Sequence, residues 1–163
     1  MNGRHKIIVQ NRKVRFSFEI DHNINIIRGN SATGKTTLIS MISDHNNDAL
    51  SSGVQLTCDK NCVALTGLSN NPNRYWKNEL KNIKDSIVFI DEGEAYVSSE
   101  EFAAFIQNTD NYYVIATRNN LYNLLYSVDA IYEVKYSGKY GKLKRAYNNL
   151  KRIYDDRPKT DYS

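Results

Sequence analysis

An α/β fold is what the sequence predicts: a mainly parallel sheet flanked by helices, entered through an N-terminal β-hairpin. Three observations carry that expectation. Residues 6–10 and 14–20 are strand-like and flank the turn-forming Asn11-Arg12-Lys13, as the arms of a hairpin would. From residue 24 onward, β-rich segments alternate with segments of helical spacing, the pattern that builds a parallel sheet with helices on its faces. Ile87, Val88, Phe89 and Ile90 are consecutive apolar residues, as expected of a strand buried on both sides.

The elements follow in order. In the second hairpin arm Val14, Phe16, Phe18 and Ile20 share one face. Asp21-His22-Asn23 then turns the chain into residues 24–28, alternating and β-branched. Residues 37–42 are apolar at helical spacing. Polar residues 43–48 and Ser51-Ser52-Gly53 read as loop, 54–57 and 63–66 as short strands, and Asn70-Asn71-Pro72-Asn73 as a turn. A short helix over 74–83 places Trp76, Leu80 and Ile83 on one side. Ser98-Ser99-Glu100-Glu101, with capping-box-like chemistry, opens a further helix through Phe102, Phe105 and Ile106. Residues 112–116 and 130–136 read as strands, with a helix over 120–126 between them. The last helix is expected from about Lys142 to Tyr154, where Leu143, Ala146, Tyr147, Leu150, Ile153 and Tyr154 follow i, i+3, i+4, i+7 spacing. Residues 155–163 read as a frayed terminus.

The 163 residues suit one domain with a core large enough to need no staples, and 40% hydrophobic with 25% charged residues excludes a disordered chain. There is no apolar run of the length a membrane span needs, and the N-terminus lacks the apolar segment of a signal peptide, so the expected location is cytoplasmic. Cys58 and Cys62 are too few ligands for a zinc site and read as two reduced cysteines around a turn. The net charge of +4 is uneven. Residues 1–138 hold 14 Lys and Arg against 15 Asp and Glu, whereas residues 139–163 hold 8 against 3. A basic C-terminal helix and tail over 139–163 is therefore expected, with nucleic acid or another anionic surface as its partner; the competing reading is a core-docked helix with a solvated charged face.

Function is concentrated in Gly29-Asn30-Ser31-Ala32-Thr33-Gly34-Lys35-Thr36, which fits the pattern G-x-x-x-x-G-K-[ST] between a strand and a helix. The glycines permit close approach of backbone to ligand, and successive N–H groups at a helix N-terminus make a concavity for a polyphosphate. Lys35 is then expected to reach the β- and γ-phosphates, with Gly29 to Gly34, Lys35, Thr36 and Thr37 forming the nucleotide cradle. The Thr36 hydroxyl is expected to ligate Mg²⁺. Asp91 and Glu92 close the apolar strand at the end where α/β sheets place ligands. Asp91 is assigned to Mg²⁺ through its water shell, and Glu92 to polarising the attacking water.

These residues resemble the P-loop NTPases, and among them the ATP-binding-cassette-like branch. Gly34-Lys35-Thr36-Thr37-Leu38 resembles the end of that family's Walker A motif, and residues 87–92 its Walker B motif followed by glutamate. Residues 114–118 are similar to the strand that ends in a switch residue, usually a histidine after threonine; here the pair is Thr117-Arg118. The resemblance implies ATP and Mg²⁺ as ligands, a γ-phosphate-sensing role for Thr117 or Arg118, and a single nucleotide-binding domain over residues 1–163. The family's LSGGQ signature is not matched: Leu50-Ser51-Ser52-Gly53-Val54-Gln55 lacks the second glycine and its helical context. The usual head-to-tail dimer is then in question, and the chain is expected to act as a minimal core or with a protein partner or second copy.

The resulting expectation is a Mg²⁺-dependent ATPase with Lys35, Glu92 and Arg118 as catalytic residues. A GTPase is disfavoured, because Thr117-Arg118-Asn119-Asn120 supplies neither the lysine nor the aspartate of a guanine-reading element. Two alternatives stay open. One is a nucleotide-gated adaptor or binding module; the other is a small-molecule kinase with Arg74 or Arg118 as phosphate clamp.

Overall fold

The computed structural model describes residues 3–29, 34–91 and 93–146. Nine strands form one sheet: β1 (His5–Gln10), β2 (Arg15–Ile20), β3 (Ile24–Arg28), β4 (Gln55–Thr57), β5 (Asn61–Leu65), β6 (Ser86–Ile90), β7 (Tyr112–Thr117), β8 (Ile131–Ser137) and β9 (Tyr140–Arg145). Their spatial order is β4-β1-β2-β9-β8-β3-β7-β6-β5. Three α-helices accompany them among the described residues: α1 (Lys35–Asn47), α2 (Trp76–Leu80) and α3 (Glu100–Ile106).

This corrects the expected fold class. The sheet is mixed and curls into a half-barrel, strand predominates, and only α1 runs beyond two turns, so the molecule is not a parallel sheet flanked by helices. Strands β8, β3, β7, β6 and β5 do run parallel to their neighbours. Beyond β8 the sheet continues through antiparallel β9, the β1–β2 hairpin and β4.

Two expected helices are responsible. Residues 120–126 form turns, Leu124 closing one onto Leu121 by a 3.3 Å backbone bond. Residues 142–145, the start of the expected last helix, belong instead to β9 (Tyr140–Arg145). There the period-2 reading wins: Gly141 and Leu143 alternate with Tyr140, Lys142 and Lys144, and the strand is held by β8 on one side and β2 on the other. The remainder of that predicted helix, residues 147–154, and the tail beyond it lie outside the described residues.

The expected strands and the N-terminal hairpin form where the alternation placed them. β1 and β2 pair antiparallel through all six residues. One core cluster joins Ile7, Val9, Phe16 and Phe18 to Leu38, Ile39 and Ile42 of α1 and to Phe89 and Val114. The second lies on the other face of the parallel strands, where Trp76, Phe102 and Ile106 meet Val88, Ile90 and Ile115. Burial of large apolar side chains on both faces explains why β6 and β7 are buried throughout their length. Ser99 caps α3 as the sequence suggests, its hydroxyl accepting from Phe102 N at 3.0 Å.

The β5 edge is managed by α1. Asn46 donates to Cys62 O at 2.9 Å and accepts from Ala64 N at 2.8 Å, satisfying backbone groups that an edge strand would leave open. Among the described residues no helix is long and apolar enough to cross a membrane.

Candidate functional site

Strands β3 and β7 end level with one another, Arg28 pairing with Thr117, whereas β6 stops two residues short, Ile90 pairing with Ile115; Gly29, Arg118 and Asp91 leave the sheet at the same end of these strands. β7 lies between β3 and β6, which separates their axes by two strand spacings, about 10 Å.

At that edge the chain turns from β3 into α1. Gly34 is the N-cap of α1 with φ 100°, a left-handed conformation that a side chain resists. Lys35, the first helical residue, is only 2% exposed, and its ammonium donates to Gly29 O at 2.5 Å. Leu38 N closes the first helical bond on Gly34 O at 3.0 Å. Thr36 and Thr37, by contrast, are exposed on the first turn. A thirteen-residue helix thus points its positive end at the strand edge, with a buried lysine folded across the base of the loop. Asn30, Ser31, Ala32 and Thr33 lie outside the described residues, as does Glu92.

The other sequence-predicted residues divide. Asp91 is half-buried immediately after β6, and Arg118 is exposed immediately after β7. Thr117 is buried and engaged in a local turn, its hydroxyl donating to Asn119 O at 2.9 Å and accepting from Asn119 N at 3.0 Å. Trp76 stacks on Tyr96 at 5.6 Å and lies edge-on to Phe102, so it belongs to the core and not to a base-binding surface. Arg74 is paired with Glu79 at 2.9 Å. Leu50, in the signature-like segment, sits 97% exposed in the turn between α1 and β4.

Three residues were missed by sequence reasoning. Tyr136, on β8, lies against Gly34: a Cβ there would meet the ring, with Cζ 2.9 Å away and the hydroxyl closer still. Its position is made by Gly141, which stands opposite it on β9 and admits both Tyr136 and Phe16, whose ring centroids are 5.9 Å apart. Asn120, after β7, accepts a hydrogen bond from the Arg28 guanidinium at the end of β3, tying together the two strand ends that frame the edge. Glu94 is buried and accepts backbone bonds from Gly67 (3.2 Å), Leu68 (3.2 Å) and Ser69 (3.3 Å), fixing the loop after β5 to the segment after β6. Its carboxylate also raises the Tyr96 phenol, after burial, the larger cause. No local pattern announces the contacts of Tyr136 with Gly34, Asn120 with Arg28 and Glu94 with residues 67–69, since each joins residues at least 25 positions apart in the chain, the closest being Ser69 with Glu94.

Among the described residues no group of three or more His, Cys, Asp or Glu side chains is placed to hold a metal ion. Cys58 and Cys62 are free thiols. Mg²⁺ has a different requirement: it retains several waters and needs only one or two protein oxygens beside phosphate oxygens. The Thr36 hydroxyl and the Asp91 carboxylate are hard oxygen donors of that kind, Thr36 exposed on the first turn of α1 and Asp91 half-buried after β6.

Comparison with protein-family models, curated proteins and solved structures finds no match for this chain.

Proposed function

We propose that this protein binds ATP with Mg²⁺ at the edge formed by β3, β7 and β6, and hydrolyses it to ADP and phosphate. The observation that carries the reading is Lys35: a lysine 2% exposed at the N-terminus of α1, flanked by two glycines of a phosphate-loop pattern. Burying an ammonium is costly unless it is paired, and a triphosphate would replace the Gly29 carbonyl with a stronger, charge-assisted partner. Gly34 supports it by letting the chain enter the helix without a side chain at the point of ligand approach.

In this mechanism Lys35 holds the β- and γ-phosphates and α1 aligns its terminal N–H groups on them. Thr36 and Asp91 are the residues that would hold Mg²⁺, which would supply charge neutralisation on the phosphates. Glu92 accepts the proton of the attacking water, and Arg118 compensates the charge developing on the transferred group.

The test is calorimetric titration with ATP, GTP and ADP, with and without Mg²⁺, on the wild type and Lys35→Ala. Loss of a charge-assisted contact predicts about a 10- to 100-fold weaker ATP affinity in the variant. Equal affinities in the two proteins would remove the loop from nucleotide binding. Phosphate release then separates binding from turnover: equal rates in wild type and Glu92→Gln would remove Glu92 from catalysis.

One observation favours a second reading, a nucleotide-gated binding module. Tyr136 ties the β8–β9 hairpin to Gly34, so occupancy of the loop has a direct route to a distant surface. ATP binding without measurable turnover would select it.

A further inference from the structure

On the side of the sheet turned away from α1, the β2–β9–β8 end is basic and, among the described residues, uncovered. Phe16, Leu143 and Val134 pack into the cluster that contains α1, so strand alternation sends Arg15, Tyr140, Lys142, Lys144 and Lys135 to the opposite side. The described helices α2 and α3 belong to the cluster over β3 and β5–β7 and do not cover it. Lys135, Lys142 and Lys144 are all exposed.

The charges there are only partly matched: Lys144 stands opposite Glu133 in the β8–β9 register. Lys135 and Lys142 stand directly opposite each other in the β8–β9 register, a like-charge pairing that weakens a hairpin. The acids on this side are occupied: Glu133 with Lys135 at 3.4 Å, and Glu19 with Arg4 at 3.5 Å. Among the described residues no ion pair engages Arg15, Lys142 or Lys144. Tyr140 stands beside Arg15 in the β2–β9 register, its ring 47% exposed with the Lys139 ammonium 5.7 Å from its centroid.

We infer that this face binds an unstructured nucleic-acid strand. Lys135, Lys142, Lys144 and Arg15 receive the backbone phosphates, and Tyr140 stacks on a base, the combination of cationic track and aromatic platform that single strands require. An acidic protein surface would satisfy the lysines but offers no planar partner to Tyr140. The inference moves the expected anionic contact from a C-terminal helix to an exposed strand pair, and it stands apart from the nucleotide reading.

The experiment is fluorescence anisotropy with labelled 20-nucleotide oligo-dT and oligo-rU, titrated across salt concentrations, with phosphatidylserine vesicles and polyglutamate as competing anions. The wild type should bind with a dissociation constant of about 1–100 µM. Lys142→Gln/Lys144→Gln should weaken binding and flatten the plot of log affinity against log salt by about 1.4. Tyr140→Ala should weaken it roughly 5- to 100-fold while leaving that slope unchanged. Far-UV circular dichroism of each variant confirms the fold, and because the two substitutions move different readouts, a general loss of structure cannot imitate both. The ratio of dT to rU affinity identifies the natural strand type, and binding of either supports the inference. Absence of binding at 20 mM salt, a slope unchanged in the double lysine variant, or capture of vesicles or polyglutamate without either oligonucleotide would overturn it.

Discussion

The ring of Tyr136 fills the space that a Cβ at Gly34 would need, so the last strand pair of the sheet and the N-cap of α1 are fitted to each other. The two residues are far apart in the chain, and the contact depends on Gly141 being small enough to let Tyr136 and Phe16 close over it. Burial raises the Tyr136 phenol above its ordinary value, so it meets the loop as a neutral hydroxyl.

Gly34→Ala is expected to be penalised twice. A non-glycine residue in the left-handed region costs about 1–2 kcal/mol, and the clash with the Tyr136 ring adds about 1–3 kcal/mol of overpacking. Tyr136→Ala in the same chain should recover the second cost and not the first. Chemical denaturation of the wild type, both single variants and the double variant measures this as a cycle. Strictly additive costs would show that the ring does not constrain Gly34.

Glu94 holds three backbone N–H groups at once, from Gly67, Leu68 and Ser69. Glu94→Ala leaves them without a partner, at a cost of about 3 kcal/mol or more. Glu94→Gln keeps one carbonyl acceptor and should lose less. Since the same loop is bonded from Ser69 to Ala95, which follows Asp91 in the chain, the alanine variant should also weaken ATP binding. Urea midpoints set beside calorimetric affinities check both; a midpoint within error of the wild type would deny Glu94 its structural role.

Cys58 is expected to be the reactive thiol. Hydrogen bonding from the Cys62 thiol lowers Cys58 from 9.0 to about 7, while Cys62 is raised by that same pairing and by burial. The thiolate is the nucleophile, so iodoacetamide labelling of Cys58 should rise with pH, pass half-maximum near pH 7, and leave Cys62 unlabelled in the folded protein. The linked stability has a definite sign. Because the folded value lies below the unfolded one, the contribution is complete above about pH 9, shrinks as pH falls towards 7, and is absent below that. Cys62→Ala should move the labelling midpoint of Cys58 upward. Mass-spectrometric rates that titrate identically in both proteins would assign the shift to something other than Cys62.

By itself the sequence determined eight of the nine strands and the phosphate-loop pattern. Alternation at period 2 in residues 14–20, the apolar run at 87–90 and the glycine spacing at 29 and 34 are local signals, readable because neighbours in the chain share one environment. The Ser99 cap was legible for the same reason. Tertiary structure decided the rest. Residues 140–145 could satisfy a helical or a strand pattern, and β8 and β2 settled it by offering backbone partners on both sides, which a helix there would have left unpaired. The order of the strands, the insertion of β7 between the ends bearing Gly29 and Asp91, and the contact of Tyr136 with Gly34 all join distant parts of the chain. Such pairings are chosen by the combined burial and hydrogen bonding of the whole sheet, and no short window of residues encodes that choice.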